Sequence, residues 1–246
     1  MIRTILVLGA IILFLILTIP VLIVFHFLHG KYPEKIDLIS LRMIQWILRV
    51  ALFLSGTKLT VLGEENVPKD RPVVYIGNHT SYYDVVIGYT RVPAPTGFVA
   101  KDSMSRIPLL NLWMLRGKCV FLNRDNVKEG LKSILAAIAE VKEGISIYIF
   151  PEGTRNKTPD TFMEFKEGSF KIPEKSGAPI IPVTFVNSHA IYEDHKPFIR
   201  RAHVVVEYGK PIYMDTLDKE TKKHMGAYVS GLLHETYEKN KAAYFS

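Results

Sequence analysis

A chain of 246 residues with 48% hydrophobic content and a formal net charge of +7 can bury a substantial core, and one domain plus an appendage is expected. Its single cysteine, Cys119, excludes an intrachain disulfide and permits a cytosolic main body. The positive balance points to an anionic partner, whether nucleic acid, lipid headgroups or a phosphorylated substrate.

The apolar excess is concentrated at the N-terminus. From Thr4 to Leu28 no charged side chain occurs, enough chain to cross a hydrocarbon core about 30 Å thick. A cleaved signal peptide fits poorly, because the run is too long and no small-x-small cleavage site follows. A buried core helix is the bland alternative. Pro20 predicts a kink or a division of the helix. A second apolar stretch covers residues 36–54, with Arg42, Gln45 and Arg49 spaced to share one helical face. Two arginines argue against a second simple span, and an amphipathic helix with its arginines on the headgroups is expected. Residues 1–57 are therefore read as a membrane-anchoring helical pair and residues 58–246 as the globular domain.

Beyond residue 58 short apolar runs alternate with amphipathic segments. Strands are predicted at 59–62, 73–76, 97–100, 119–122, 145–150, 180–186 and 203–208. Helices are predicted at 83–91, 108–115, 127–143, 165–176 and 216–240, with Asn126 as the N-cap of the third. The pattern is that of an α/β domain around a mixed, mainly parallel sheet flanked by helices. Ligands bind at the carboxyl ends of the strands in such sheets, and His79, Arg124 and residues 152–155 all follow a predicted strand.

Residues 73–84 read as a buried strand ending at Gly77, then a polar turn with His79, then Asp84 five positions on. A neutral imidazole can take a hydroxyl proton near neutral pH, and a carboxylate on its other nitrogen fixes the tautomer. Five positions along an ideal helix separate side chains by about 140°. The two residues can meet only if His79 lies in the turn and Asp84 in the first helical turn. The spacing alone is weak, since His189 and Asp194 repeat it. That second pair is read as a chance match in a polar, exposed segment.

Phe150-Pro151-Glu152-Gly153-Thr154-Arg155 ends an apolar strand in a small polar loop. Gly153 admits close backbone approach, Thr154 can donate from its hydroxyl, and Arg155 can grip a phosphate bidentately. Arg124 after residues 119–122 and Lys101 after residues 97–100 add two cations. Cys119 has no neighbouring base to activate it, no nucleophile-elbow sequence is present, and no metal-ligand cluster is expected.

Together these stretches resemble the glycerolipid acyltransferase family, in particular its lysophosphatidic acid acyltransferases. Residues 78–84 match the family's first motif, His-x4-Asp. Gly117 to Arg124 is similar to the second, with Asn123 where Asp is common. Residues 150–155 fit the third, and Ile180-Ile181-Pro182-Val183 the fourth. The resemblance covers roughly residues 58–210 and implies direct acyl transfer from a thioester, acyl-CoA or acyl carrier protein, to the sn-2 hydroxyl of 1-acyl-sn-glycerol 3-phosphate. No other cofactor is implied. His79 would be the base and Asp84 its orienter. Lys101, Arg124, Glu152, Gly153, Thr154 and Arg155 would surround the acceptor phosphate, and Arg155 favours a phosphate monoester. The setting implied is a membrane with the catalytic domain on its cytoplasmic face. Glycerol 3-phosphate or another lysophospholipid is the rival acceptor. A non-catalytic membrane-anchored lipid-binding protein is the rival class. Nucleic-acid binding is disfavoured, because the basic residues form no tract interleaved with aromatics.

Overall fold

The computed structural model describes residues 1–124 and 126–245. Seven strands form one sheet: β1 (Lys58–Leu62), β2 (Val74–Gly77), β3 (Thr96–Lys101), β4 (Val120–Leu122), β5 (Ser146–Ile149), β6 (Ile180–Val186) and β7 (His203–Tyr208). Their order is β1-β7-β6-β2-β5-β3-β4. The strands β6, β2, β5, β3 and β4 run parallel, while β7 is antiparallel to β6 and pairs with β1 in parallel. The carboxyl ends of five neighbouring strands therefore form one rim.

The central strands are apolar throughout because helices cover both sheet faces. On one face Tyr75, Tyr148 and Phe98 stand in register on β2, β5 and β3. Their rings stack, with centroids 5.1 Å apart for Tyr75–Tyr148 and 4.5 Å for Phe98–Tyr148. Helix α4 (Tyr82–Arg91) packs on this layer through Ile87. On the other face Val74, Ile76, Ile147 and Ile149 meet α6 (Val127–Lys142), α7 (Lys171–Ser176) and α9 (Met225–Phe245). Helix α5 (Leu110–Arg116) leads into β4, and the short α8 (Lys219–Lys223) precedes α9.

The N-terminal run forms α1 (Ile2–Leu17) and α2 (Ile19–His29), bent by 49° at Thr18. Pro20 lies in the first turn of α2, where its missing N–H costs nothing. Helix α3 (Pro33–Ser55) is the one described helix long and apolar enough by itself to cross a membrane, and α1 with α2 would make a second as a bent pair. Both also join the globular part, since Val7, Leu41 and Ala51 lie in the main core. Ile12, Trp46 and Phe53 face outward.

The polar stripe of α3 has a different destination from the headgroups expected of it. Gln45 is buried and donates to the Tyr89 and Val92 carbonyls, at 3.2 and 2.8 Å, while Arg42 binds Gln45 Oε1 and Arg49 donates to the Thr90 carbonyl. The last carbonyls of α4 have no partner within their own helix, and α3 supplies donors and positive charge to them.

Two helix boundaries also differ from those expected. The segment predicted to be helical from 165 is extended there, passes through a 3-10 turn (Glu167–Phe170), and becomes helical only at Lys171. Pro173 has no N–H to give to residue 169, so it fits only in the first turn of a helix. The long C-terminal helix predicted from 216 breaks at His224. There Glu167 accepts from the Gly226 amide at 2.8 Å and caps α9, and the Phe165 carbonyl packs too close to Gly226 to admit a Cβ. Asn126 is the N-cap of α6, accepting from the Lys128 and Glu129 amides.

Candidate active site

Strand β2 ends at Gly77, and the next residues are fixed by side chains rather than by strand pairing. The Asn78 amide group donates to the Phe185 carbonyl at 2.9 Å and accepts from the Phe185 N–H at 2.8 Å, extending the contact with β6 by one step. His79 then lies in the turn, Ser81 is the N-cap of α4, and Asp84 is its third residue. The five-residue spacing works because it straddles the helix start. A capping box closes the turn: Ser81 Oγ accepts from the Tyr83 N–H and Asp84 accepts from the Ser81 N–H.

Asp84 is fully buried, which would be costly for an unpaired carboxylate. Four donors satisfy it. Its Oδ2 accepts from His79 Nδ1 at 2.9 Å, from the Thr80 N–H at 2.8 Å and from the Ser81 N–H at 2.7 Å, and its Oδ1 accepts from the Ser188 hydroxyl. With Nδ1 bound to this carboxylate, Nε2 is the nitrogen left to exchange a proton. The His79 ring lies against Phe150, with centroids 4.3 Å apart and planes 17° from parallel. Packing and hydrogen bonding together set its orientation.

The loop after β5 meets the histidine turn. Glu152 is 2% exposed, and its Oε1 accepts from the His79 N–H at 2.8 Å. Burial pushes its carboxyl up to about 7, and the nearby Asp84 charge adds to the rise. The Glu152 side chain, expected beside the acceptor phosphate, is buried against the backbone of the histidine turn. The Asn156 N–H donates to the His79 carbonyl at 2.7 Å, so the turn is held on both sides.

Gly153 has a φ of +72° and faces the Lys166 side chain, which a Cβ would crowd. Thr154 is exposed. Arg155 lies over the Tyr82 ring, its guanidinium carbon 3.6 Å from the centroid, and donates from Nη1 to Glu193 Oε1 at 3.0 Å. Among the described residues no other partner holds the guanidinium, which leaves further N–H donors for an anion.

Lys101 ends β3, and Arg124 follows β4. Both are exposed on the shared rim. At strand spacings of about 4.8 Å they stand two and three strands from β2, roughly 10 and 14 Å along the rim. They therefore lie along the extension of that rim.

The segment after β6, expected to be exposed, is largely half-buried, and its histidine–aspartate pair stays apart from the His79–Asp84 site. His189 Nδ1 and Asp194 Oδ2 do bond, at 2.9 Å, and the segment folds over the start of α4. Asp194 remains largely in solvent, unlike Asp84. Ser188, Glu193, Phe150 and Tyr82 were not singled out from sequence. A signal existed for Phe150 and Tyr82, which lie within the two motif stretches that carry Arg155 and His79. Cys119 offers no nucleophile, since burial pushes its thiol up to about 11.

Comparison with known proteins follows the same outline. The acyltransferase family model matches residues 58–186. A 1-acyl-sn-glycerol-3-phosphate acyltransferase of Borreliella burgdorferi is 37% identical over 154 residues, 63% of this chain and 61% of its own. One of Saccharomyces cerevisiae is 29% identical over 185 residues, 72% and 61% of the two chains. One of Haemophilus influenzae is 29% identical over 222 residues, 86% and 85% of the two. The matched stretch thus spans about three fifths of the Borreliella and Saccharomyces relatives. The crystal structure of a 1-acyl-sn-glycerophosphate (LPA) acyltransferase from Thermotoga maritima superposes with a TM-score of 0.82. It covers 98% of this chain and 96% of its own at 23% identity, a likeness of fold that includes the N-terminal helices.

Proposed function

The chain belongs to the acyltransferase family, and from that premise we propose that it transfers a fatty acyl group from a thioester to the sn-2 hydroxyl of 1-acyl-sn-glycerol 3-phosphate, giving phosphatidic acid. The observation that carries this reading is the 2.9 Å bond between His79 Nδ1 and a fully buried Asp84, on the same rim as Arg155. His79 Nε2 removes the hydroxyl proton as the oxygen attacks the thioester carbonyl. The tetrahedral intermediate collapses with cleavage of the C–S bond, and the departing thiolate takes the proton from the imidazolium. Asp84 stabilises that imidazolium while it exists. No enzyme nucleophile is required, because the thioester carbonyl is already activated. Positioning the two reactants supplies much of the acceleration.

The names carried by the Borreliella, Saccharomyces and Haemophilus relatives support lysophosphatidic acid as the acceptor. Arg155 is the group for its phosphate, since a guanidinium suits a phosphate monoester. Lys101 and Arg124 extend the positive rim for the remainder of an anionic substrate or donor. Acyl-CoA and acyl carrier protein are both anionic, and either fits the +7 chain. The outward apolar faces of α1 and α3 support a membrane location, and a catalytic rim on its cytoplasmic side belongs to the same proposal.

The test is purified protein in detergent with acyl-CoA and acyl carrier protein donors, offered lysophosphatidic acid, glycerol 3-phosphate and lysophosphatidylcholine in parallel. Phosphatidic acid is expected to form fastest. Faster acylation of glycerol 3-phosphate or the choline lipid would overturn the acceptor. Lipid binding without consumption of any thioester would overturn acyl transfer itself.

A further inference from the structure

The chain does not leave the rim at the end of β6. Asn187 turns with a φ of +66°, and two 3-10 turns follow, Ser188–Ile191 and Glu193–His195. Ile191 is fully buried and anchors the segment in the core. The His189–Asp194 bond closes the two turns on each other.

Two side chains from this short segment reach separate parts of the site. Ser188 is fully buried; its hydroxyl donates to Asp84 Oδ1 and lies 3.0 Å from Thr80 Oγ1. Glu193 takes three donors: Tyr82 N–H at 3.1 Å and Arg155 Nη1 at 3.0 Å on Oε1, and the Ser81 hydroxyl at 2.5 Å on Oε2. Its charge also stands at the N-terminus of α4, where the helix dipole favours it. One segment thus grips the orienter of the base with one residue and the arginine with the other.

We infer that Ser188 and Glu193 are positioning residues for the proposed acyl transfer, Ser188 acting through Asp84 on His79 and Glu193 acting through Arg155 on the acceptor phosphate. The inference rests on the function proposed above. A guanidinium on a free side chain must be ordered each time a phosphate binds, at a cost in affinity. Glu193 and the Tyr82 ring hold Arg155 in place beforehand. Ser188 contributes the only donor to Asp84 Oδ1 among the described residues, so it fixes the carboxylate plane that aims the imidazole. The two residues consequently act on different kinetic constants, which scaffolding alone would not do.

The experiment uses the full chain in detergent and compares Ser188→Ala, Glu193→Gln, Arg155→Ala and the double variant Glu193→Gln/Arg155→Ala. Each is titrated with lysophosphatidic acid at saturating donor, after thermal unfolding has established the folded fraction. Ser188→Ala is expected to lower kcat about tenfold with acceptor KM little changed, as for loss of a hydrogen bond to a charged group. Glu193→Gln keeps the shape but removes the charge, and is expected to raise acceptor KM about fivefold with kcat little changed. In the Arg155→Ala background the Glu193 substitution should add nothing to KM. Equal losses of kcat in both single variants, a lowered KM in Glu193→Gln, or full additivity with Arg155→Ala would each overturn the inference. If Glu193→Gln does not fold, the kcat effect of Ser188→Ala decides alone. Wild-type protein that makes no phosphatidic acid would instead sink the underlying function.

Discussion

Glu152 makes a prediction that runs against the intuition that a charged residue at an active site stabilises it. Its carboxyl is 2% exposed and raised from 4.5 to about 7 by burial, with one oxygen on the His79 amide. A folded-state value above the unfolded one means that the protonated form is favoured in the native protein. Its contribution to stability is therefore complete below about pH 4.5 and is lost as pH rises through about 7. The difference corresponds to about 3 kcal/mol. Glu152→Gln keeps an oxygen for the His79 N–H and cannot ionise, so it should remove this pH dependence. For a chain of this length about 3 kcal/mol is worth roughly 6–12 °C in Tm. Thermal unfolding in detergent from pH 4.5 to 8 should show the wild type losing ground to Glu152→Gln, with the gap widest above pH 7. Parallel profiles across that range would refute the burial argument. A variant less stable at pH 8 than at pH 5, relative to wild type, would reverse its sign.

Three further outcomes follow from particular contacts. Asp84→Asn can keep the amide contacts of the capping box but loses the charge opposite the imidazolium, so kcat should fall about 10²–10⁴-fold with the fold retained; unchanged kcat would remove Asp84 from the mechanism. Arg155→Ala should raise KM for lysophosphatidic acid about 10–100-fold, with Arg155→Lys recovering only part because it lacks the planar fork; equal KM for all three proteins would contradict the phosphate assignment. Gln45→Leu should cost about 2–3 kcal/mol in unfolding measurements by stranding the Tyr89 and Val92 carbonyls at the end of α4, and a neutral effect would show that α3 docks by apolar contact alone.

The strands were legible because each is a short apolar run bounded by turn residues, and all seven lie within a residue or two of the positions expected from that pattern. The turn geometry of His79 was legible too, since helix periodicity allowed only one way for it to meet Asp84. Contacts that join distant parts of the chain were not. Ser188 meets Asp84 across 104 positions, and Gln45 reaches Val92 across 47. No local pattern marks either side chain, because each answers a donor or acceptor deficit created by another element. A polar stripe on an apolar helix reads as headgroup contact when its partner, the carbonyl end of α4, is unknown. The His189–Asp194 pair shows the complementary limit. It matches His79–Asp84 in spacing and in bond length, and what separates the two is burial, a property of the assembled rim.

The central claim is that His79 is the base for acyl transfer, and phosphatidic acid formation by purified His79→Ala tests it most directly. The substitution leaves Asp84 its three other donors and removes from the core only the ring's contact with Phe150. The variant should therefore fold and bind membranes as the wild type does, while turnover of lysophosphatidic acid with a saturating thioester falls at least about 10²–10⁴-fold. Turnover near the wild-type rate from the folded variant would contradict the account.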